Sequence, residues 1–241
     1  MIIQIILITL LLTFATILSA IAGFGTSTIS IPLLTLFFPL HQVIFFIAII
    51  HWFENIWRLI FFKSRFRLKT ILQFAIPAIV FAVIGARIGI KIQEEILIKI
   101  LGCFLLLYAI FLFIQPKYQM PRKLTTLFTG GLLSGFFAGI IGIGGAIRSA
   151  FLHSLNLPKI SYIFVVSAIS FFIDTARIPV YFTNGTSLET FFIWSAIIFI
   201  PCSCIATYFA KKIVLKIPQH YFRIIVTIFL GLAGLKFLIW S

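Results

Sequence analysis

The chain consists of long apolar runs separated by short polar segments, and most of the runs have the length of a membrane-spanning helix. An α-helix rises 1.5 Å per residue, so about 20 residues cross a hydrocarbon core about 30 Å thick. The pattern therefore predicts an all-α polytopic membrane protein. Six runs are uninterrupted, at residues 41–62, 70–90, 95–114, 160–182, 188–210 and 219–240, and two more, at residues 2–38 and 124–155, are interrupted by glycines.

Each interrupted run breaks at a glycine cluster. Glycine weakens a helix by about 1 kcal/mol relative to alanine. Inside a bilayer, the backbone groups that a break releases need partners from protein or water. We therefore expect that both breaks are packed in protein or line a wet cavity, and that together they form a binding site. The break residues are Gly23 and Gly25 in the first run and Gly142, Gly144 and Gly145 in the second.

Composition supports the membrane assignment and limits the partners. The 241 residues are 62% hydrophobic and only 10% charged, with a mean hydropathy of +1.21, so the chain cannot present a soluble surface. The net charge of +14 lies mostly in short loops, where it reports membrane orientation rather than binding to nucleic acid. We expect the lipid bilayer as a partner and no nucleic acid. The three cysteines lie within apolar runs, and the four histidines lack metal-site spacing, which predicts neither disulfides nor a metal or other cofactor.

The two interrupted runs begin two halves of similar sequence. A shift of 119 positions aligns Gly, Pro and Arg residues that are informative in so apolar a chain: Gly23 with Gly142, Gly25 with Gly144, Pro39 with Pro158 and Arg58 with Arg177. We predict a duplication, with a first transmembrane repeat at residues 1–115 and a second at residues 121–241, forming one transport domain. Each repeat has a broken helix pair followed by three transmembrane helices.

The orientation of the repeats depends on whether the broken pairs cross the membrane. If they cross, the repeats are parallel, and the basic loops at residues 63–69 and 211–216 fall on opposite faces. If each pair is a re-entrant hairpin, the repeats are inverted and all basic loops lie on one side. Because Lys and Arg accumulate in cytoplasmic loops, the inverted arrangement is favoured. The spanning length of the first arms, such as residues 2–22, argues against it.

The residues around the breaks suit an anion. Helix amino termini carry free amides and the positive end of the helix dipole. Thr26 and Ser27 add hydroxyl donors after the first break, and Arg148 adds a fixed charge after the second. Arg148 has no acid within one turn, so it is the best single candidate for a substrate ligand. The alternative is that its side chain only extends to lipid phosphate.

These glycine motifs, the downstream proline in each half and the chain length resemble the TauE/SafE-like sulfite exporter family (TSUP membrane transporters). The resemblance covers essentially the whole chain. It implies a multi-pass protein of the bacterial cytoplasmic (inner) membrane that transports a small sulfur-containing anion, such as sulfite or an organosulfonate. It does not settle which anion moves or in which direction.

Ionisable residues inside the apolar runs need a reason, because each costs at least about 2.5 kcal/mol to insert. Glu54 and Arg58 are spaced i, i+4, and Asp174 and Arg177 are spaced i, i+3, so each pair shares a helix face. In one interpretation, each acid and its arginine form a buried ion pair that neutralises itself. In the other, the arginines contact the anion, and Glu54 or Asp174 accepts the proton that is transported with it. His51 lies one turn before Glu54, as part of a proton relay or as a packing residue.

We therefore expect a secondary transporter of a small anion, coupled to protons, with a passive small-anion channel as the alternative. The chain has no Ser-His-Asp set, no His-Glu-x-x-His motif and no acidic cluster that would hold a metal, so we do not expect an enzyme. The sequence leaves open whether copies of the chain form a homo-oligomer.

Overall fold

We analysed a computed structural model of the chain, which describes residues 2–22, 25–64, 68–115, 121, 123–152, 155, 157–214 and 219–239. Within these residues the regular secondary structure is helical throughout, with ten α-helices. They are α1 (Ile2–Ala22), α2 (Ser27–Leu34), α3 (Leu40–Phe61), α4 (Leu68–Gly89), α5 (Glu94–Ile114), α6 (Leu124–Ile141), α7 (Gly145–Leu152), α8 (Lys159–Thr183), α9 (Thr190–Val214) and α10 (Gln219–Ile239).

The helices confirm the predicted pattern of six uninterrupted and two interrupted runs. The uninterrupted runs form α3, α4, α5, α8, α9 and α10, with ends a few residues from the predicted ones. Each interrupted run forms one long helix and one of eight residues, α2 or α7. Seven of the described helices, including both first arms, are long and apolar enough to cross a membrane, and α10 adds a shorter apolar stretch at Thr227–Ile239.

Both breaks contain a glycine with a left-handed backbone. Gly25 has a φ of 82° and Gly142 a φ of 75°, a conformation that other residues adopt only at a cost. The two glycines are not equivalent in the repeat, because Gly142 aligns with Gly23, which lies outside the described residues. The chain therefore turns at each break, as predicted from the glycine clusters.

The helices pair across the two halves. The main pairs are α1 with α9, α6 with α4, α3 with α8, and α5 with α10. When each helix is replaced by its equivalent in the other half, the pair α1–α9 becomes α6–α4, and the pairs α3–α8 and α5–α10 are unchanged. The equivalent helices α3 and α8 run in opposite directions, since residues late in α3 meet residues early in α8. These contacts join Ser64 to Ser161 (Oγ–Oγ 2.8 Å), His51 to Asp174 (2.8 Å) and the rings of Phe45 and Tyr181 (6.0 Å).

Glycines let α4 and α6 pack with their backbones close together. A Cβ atom added to Gly131, Gly135 or Gly139 would collide with the carbonyl oxygen of Phe74, Ala78 or Ala82, respectively. From one collision to the next, the residue number rises by four in both helices, so the two helices run in the same direction. Small residues at every fourth position are a common means of close helix association in membranes, where dispersion contacts replace the hydrophobic effect.

The described basic residues at helix ends lie mostly at one end of the bundle, which we call the basic end. The Ser64–Ser161 contact joins the end of α3 to the start of α8, and Phe61 packs against Tyr208 near the end of α9. Because α4 and α6 are parallel, both start there as well. The basic end therefore holds Lys63, Lys69, Lys123, Lys159, Lys211 and Lys212.

The opposite end carries less positive charge. It joins the start of α3 to the end of α4 and the start of α5: the backbone N–H of Leu40 donates to Glu94, and His41 Nε2 lies 3.3 Å from the carbonyl oxygen of Gly89.

Each broken pair starts and finishes at the same end of the bundle. Helix α6 leaves the basic end, and α7 returns along it, since Ser134 Oγ donates to the Gly144 carbonyl (2.9 Å) and Phe151 lies against Gly130. Helix α1 meets α3 in the same order along both helices, since Thr16 is bonded to Glu54 and Ser19 to Arg58, so α1 also starts at the opposite end. Helix α2 then leads back to that end, where α3 begins.

We expect Gly135→Ala to destabilise the protein by about 1–3 kcal/mol, the usual cost of overpacking, because the added Cβ would also lie 2.7 Å from Ala78 Cα. Gly231→Ala is the matched control, since its Cβ would meet only Ala109 Cβ, at 3.7 Å. Thermal unfolding of both variants in detergent tests the α4–α6 interface. Equal unfolding temperatures would contradict the close packing.

Candidate functional site

The two helix breaks meet inside the bundle. A Cβ atom placed on Gly25 would lie 3.7 Å from His51 Nε2 and 3.8 Å from the Cα atom of Gly145. Since α2 begins at Ser27 and α7 at Gly145, the amino termini of both half-helices approach the same point. The first amides of a helix have no intrahelical partner and carry the positive end of its dipole. The fold therefore brings two helix amino termini, with the positive ends of their dipoles, to this junction.

Among the residues that the structure describes, five charged side chains are buried around the junction. Glu54, Arg58, Arg148, Asp174 and Arg177 are between 0% and 4% exposed. Burial of a charge without a partner is costly, so the contacts of each group show which charges are compensated. Three arginines against two carboxylates leave at least one positive charge in the interior.

Asp174 is the most fully paired of these groups. Its Oδ1 accepts a hydrogen bond from Arg177 Nε (2.8 Å), and its Oδ2 lies 2.8 Å from His51 Nδ1 and 3.3 Å from Asn55 Nδ2. Arg177 also donates through Nη1 to the Ala138 carbonyl at 2.6 Å. Because His51 and Asn55 belong to α3, the carboxylate of Asp174 fastens the two halves of the chain together.

Glu54 and Arg58 do not form the ion pair that their spacing allows. Among the described residues, the ion pairs within 4.0 Å are His51–Asp174, Arg177–Asp174 and Lys99–Glu95. Hydroxyl groups near the first break take the place of the pair. Arg58 Nη2 donates to Ser19 Oγ (2.8 Å) and Thr26 Oγ1 (2.9 Å), and Glu54 accepts from Thr16. The i, i+4 spacing places both charges on one face, but α1 supplies closer partners.

Arg148 is the least compensated arginine of the described region. It is 2% exposed. Within the described residues its one side-chain hydrogen bond is a long one of 3.5 Å from Nη1 to Ser134 Oγ, and its Nε atom has no partner there. It makes no ion pair within 4.0 Å, in contrast to Arg177. A buried guanidinium with unused donors matches a ligand that brings negative charge and acceptor oxygens.

Little space remains at the junction in this conformation. A cavity of about 10 Å³ reaches from the first break toward α8, room for about one water molecule. A polyatomic anion therefore requires the surrounding helices or side chains to separate. The cavity is lined by Ser19, Gly25, Arg58, Tyr162, Ile163, Val166 and Ser167.

The structure brings most of the predicted site residues together at the junction. Gly142 lies to one side of it, packed against Ile31, and Gly23 lies outside the described residues. The residues around the junction are Gly25, Thr26, Ser27, Gly144, Gly145, Arg148, Arg58, Arg177, Glu54, Asp174 and His51. The described part of the chain holds no group of three or more His, Cys, Asp or Glu residues that could bind a metal.

Sequence reasoning assigned no site role to several polar residues that complete the network. The repeat contained a signal for two of them, because the shift of 119 positions aligns Asn55 with Asp174 and Ser19 with Ala138. Each aligned pair occupies corresponding positions: Arg58 bonds Ser19, and Arg177 bonds Ala138. No comparable signal marks Ser134 or Thr16, whose contacts depend on how the helices pack.

Comparison with known proteins gives a family for nearly the whole chain. The family model described as Sulfite exporter TauE/SafE matches residues 8–237. A search of the curated proteins finds no match.

We expect Asp174→Asn to lower stability by about 3–5 kcal/mol, because it leaves Arg177 buried without a counter-charge. Glu95→Gln is the control, since its Lys99 pair is 63% exposed on the Glu side and surface pairs contribute little. Denaturation of both variants in detergent gives the comparison. A loss of stability in Glu95→Gln as large as in Asp174→Asn would rule out the special role of the buried network.

Proposed function

The chain belongs to the sulfite exporter TauE/SafE family of membrane transporters, and on this premise we propose that it is a proton-coupled secondary transporter of a small sulfur-containing anion, sulfite or an organosulfonate. The observation that carries the proposal is the junction of the two breaks, where two helix amino termini meet among three buried arginines. Such termini form ready anion sites, and discontinuous helices form the binding sites of many secondary transporters.

In the proposed site, Arg148 is the principal ligand. Its unused guanidinium donors suit the oxygens of a sulfite or sulfonate group, and the amides after Gly25 and Gly144 complete the cradle. Arg58 is tied to hydroxyl groups and Arg177 to Asp174, so both contribute mainly to the positive field around the anion. Thr26 and Ser27 place further hydroxyl groups at the start of α2.

We propose that the two halves form an inverted repeat in the bacterial cytoplasmic membrane. Three features support it: the opposite directions of α3 and α8, the return of each broken pair to its starting end, and the accumulation of lysines at the basic end. A two-fold relation that reverses a membrane-crossing helix must have its axis in the membrane plane. The basic end is then cytoplasmic by the distribution of positive charge.

The closed junction supports alternating access over a passive channel. A channel conducts through a continuous path, whereas the cavity of about 10 Å³ holds no polyatomic anion. Opening toward either side requires movement between the halves, which meet at the buried network of His51, Asp174 and Asn55. The titratable groups in or beside this network, Glu54, Asp174 and His51, are the proposed sites of proton coupling.

Sulfite uptake into proteoliposomes, with and without an imposed pH gradient, tests the proposed function. We expect accumulation above equilibrium only with the gradient. Flux that stops at equilibrium under both conditions would indicate a channel or an uncoupled carrier, and the absence of flux would exclude sulfite as the substrate.

We expect Arg148→Gln to abolish this uptake without lowering thermal stability, because the substitution removes a buried charge that has no ion pair in the protein. Arg87→Gln, which removes an exposed arginine from α4, is the control and should transport normally. Uptake by Arg148→Gln at the wild-type rate would exclude Arg148 as a ligand.

The proposed orientation predicts the accessibility of single cysteines placed at the two ends. In a background without Cys103, Cys202 and Cys204, Lys63→Cys should react with a membrane-impermeant reagent only from the cytoplasmic side. Ser187→Cys, in the loop before α9, should react only from the other side. Labelling of both positions from the same side would contradict the inverted repeat.

A further inference from the structure

His51 is held at the point where both helix breaks and both halves of the chain meet. It lies near the middle of α3 and is 3% exposed. One ring nitrogen, Nδ1, is 2.8 Å from Asp174 Oδ2. The other, Nε2, has no hydrogen-bond partner and faces the gap between Gly25 and Gly145. The free nitrogen of this histidine is therefore directed at the proposed anion site.

The partners of Asp174 determine which ring nitrogen titrates. Arg177 donates to one carboxylate oxygen and Asn55 to the other, and an ionised carboxylate can only accept hydrogen bonds. His51 must therefore hold a proton on Nδ1. Its Nε2 atom carries a lone pair when the ring is neutral and a hydrogen that can be donated when the ring is charged.

An anion at the junction distinguishes these two states. A lone pair directed at an oxyanion repels it, whereas an N–H group donates a charge-assisted hydrogen bond to it. Given the proposed anion site, we infer that the site takes up one proton with each anion and that this proton lies between His51 Nε2 and an anion oxygen. The proton comes from solution to the ring, or it arrives on a hydrogen oxyanion such as bisulfite.

The contacts of the other charged groups around His51 favour its Nε2 atom as the proton carrier that meets the anion. On α8, Asp174 is already bonded by three donors and Arg177 is paired with it. On α3, Arg58 donates to hydroxyl groups, and Glu54 is bonded to Thr16 of α1 with its Oε2 atom unpartnered. Arg148, on α7, holds a permanent positive charge. Glu54 is thus the competing proton carrier, and its bonded oxygen is directed toward α1.

Affinity for sulfite as a function of pH tests the inference on the purified full-length protein. We expect the wild-type affinity to fall about tenfold per pH unit in the alkaline range, as linkage to one proton requires. His51→Gln keeps an amide donor but cannot titrate, so its affinity should not change with pH. His51→Asn is the second variant if the first does not fold. Glu54→Gln tests the competing proton carrier, and a wild-type dependence in that variant assigns the proton to His51. Glu95→Gln, at an exposed pair, is the neutral control.

Methanesulfonate separates the two proton sources, because it carries no exchangeable proton in this range. If its affinity also falls about tenfold per pH unit, the proton binds the ring from solution; if it does not change, the proton arrives on the sulfite. Either result supports one proton per sulfite at His51 only if the sulfite dependence is also lost in His51→Gln. A pH dependence for sulfite that persists in both His51 variants, or that is lost in Glu54→Gln, overturns the inference alone. Absence of binding by the wild-type protein to either anion at any pH overturns the proposed function as well.

Discussion

The arrangement of the interior depends on the bonds that the carboxylate of Asp174 accepts. It is buried, and it is bonded by Arg177 of its own helix and by His51 and Asn55 of α3. In a low-dielectric interior such a group is tolerated only when its charge and its acceptor sites are satisfied. The same bonds set the contact between α3 and α8 and fix the ring of His51, so one charge determines both the packing of the halves and the chemistry at their junction.

The helices of the two halves pair in a symmetric way, but the side chains at matching positions differ in their chemistry. Exchanging the halves preserves the helix pairs and matches Arg58 with Arg177, yet other residues that carry charge differ at matching positions. Asn55 corresponds to Asp174, and Ile29 corresponds to Arg148. His51 corresponds to Ser170, whose hydroxyl bonds its own helix at the Val166 carbonyl. The matching helix pairs bring the two breaks together, whereas the charged groups are distributed unequally. Among the described residues at the junction, His51 is the one histidine, and Arg148 is the arginine with the fewest hydrogen-bond partners.

The two glycine-containing arms also differ in how firmly they are held. Helix α6 packs against α4 through backbone contacts that no larger side chain would permit, and α7 is bonded to α6 through Ser134. The first break is held instead by hydroxyl groups around Arg58. Polar contacts of this kind can exchange for contacts with a ligand, whereas close backbone packing cannot rearrange without separating two helices.

The sequence alone determined the helical class, the approximate bounds of the spanning helices and the location of both breaks. These properties follow from local features: the length of an apolar run, the weakness of glycine in a helix, and the high cost of a charge in hydrocarbon. The spacing of Asp174 and Arg177 likewise predicted their contact, because three residues form about one helical turn.

Tertiary structure decided the partners of the remaining charges. The spacing of Glu54 and Arg58 is as favourable as that of Asp174 and Arg177, yet Arg58 is bonded to Ser19 of α1 and to Thr26 at the first break. The pairing of His51 with Asp174 joins residues 123 positions apart, which no local pattern encodes. Helix propensity and hydropathy act within one segment, whereas these contacts arise from the antiparallel meeting of two segments, and only the folded chain specifies that meeting.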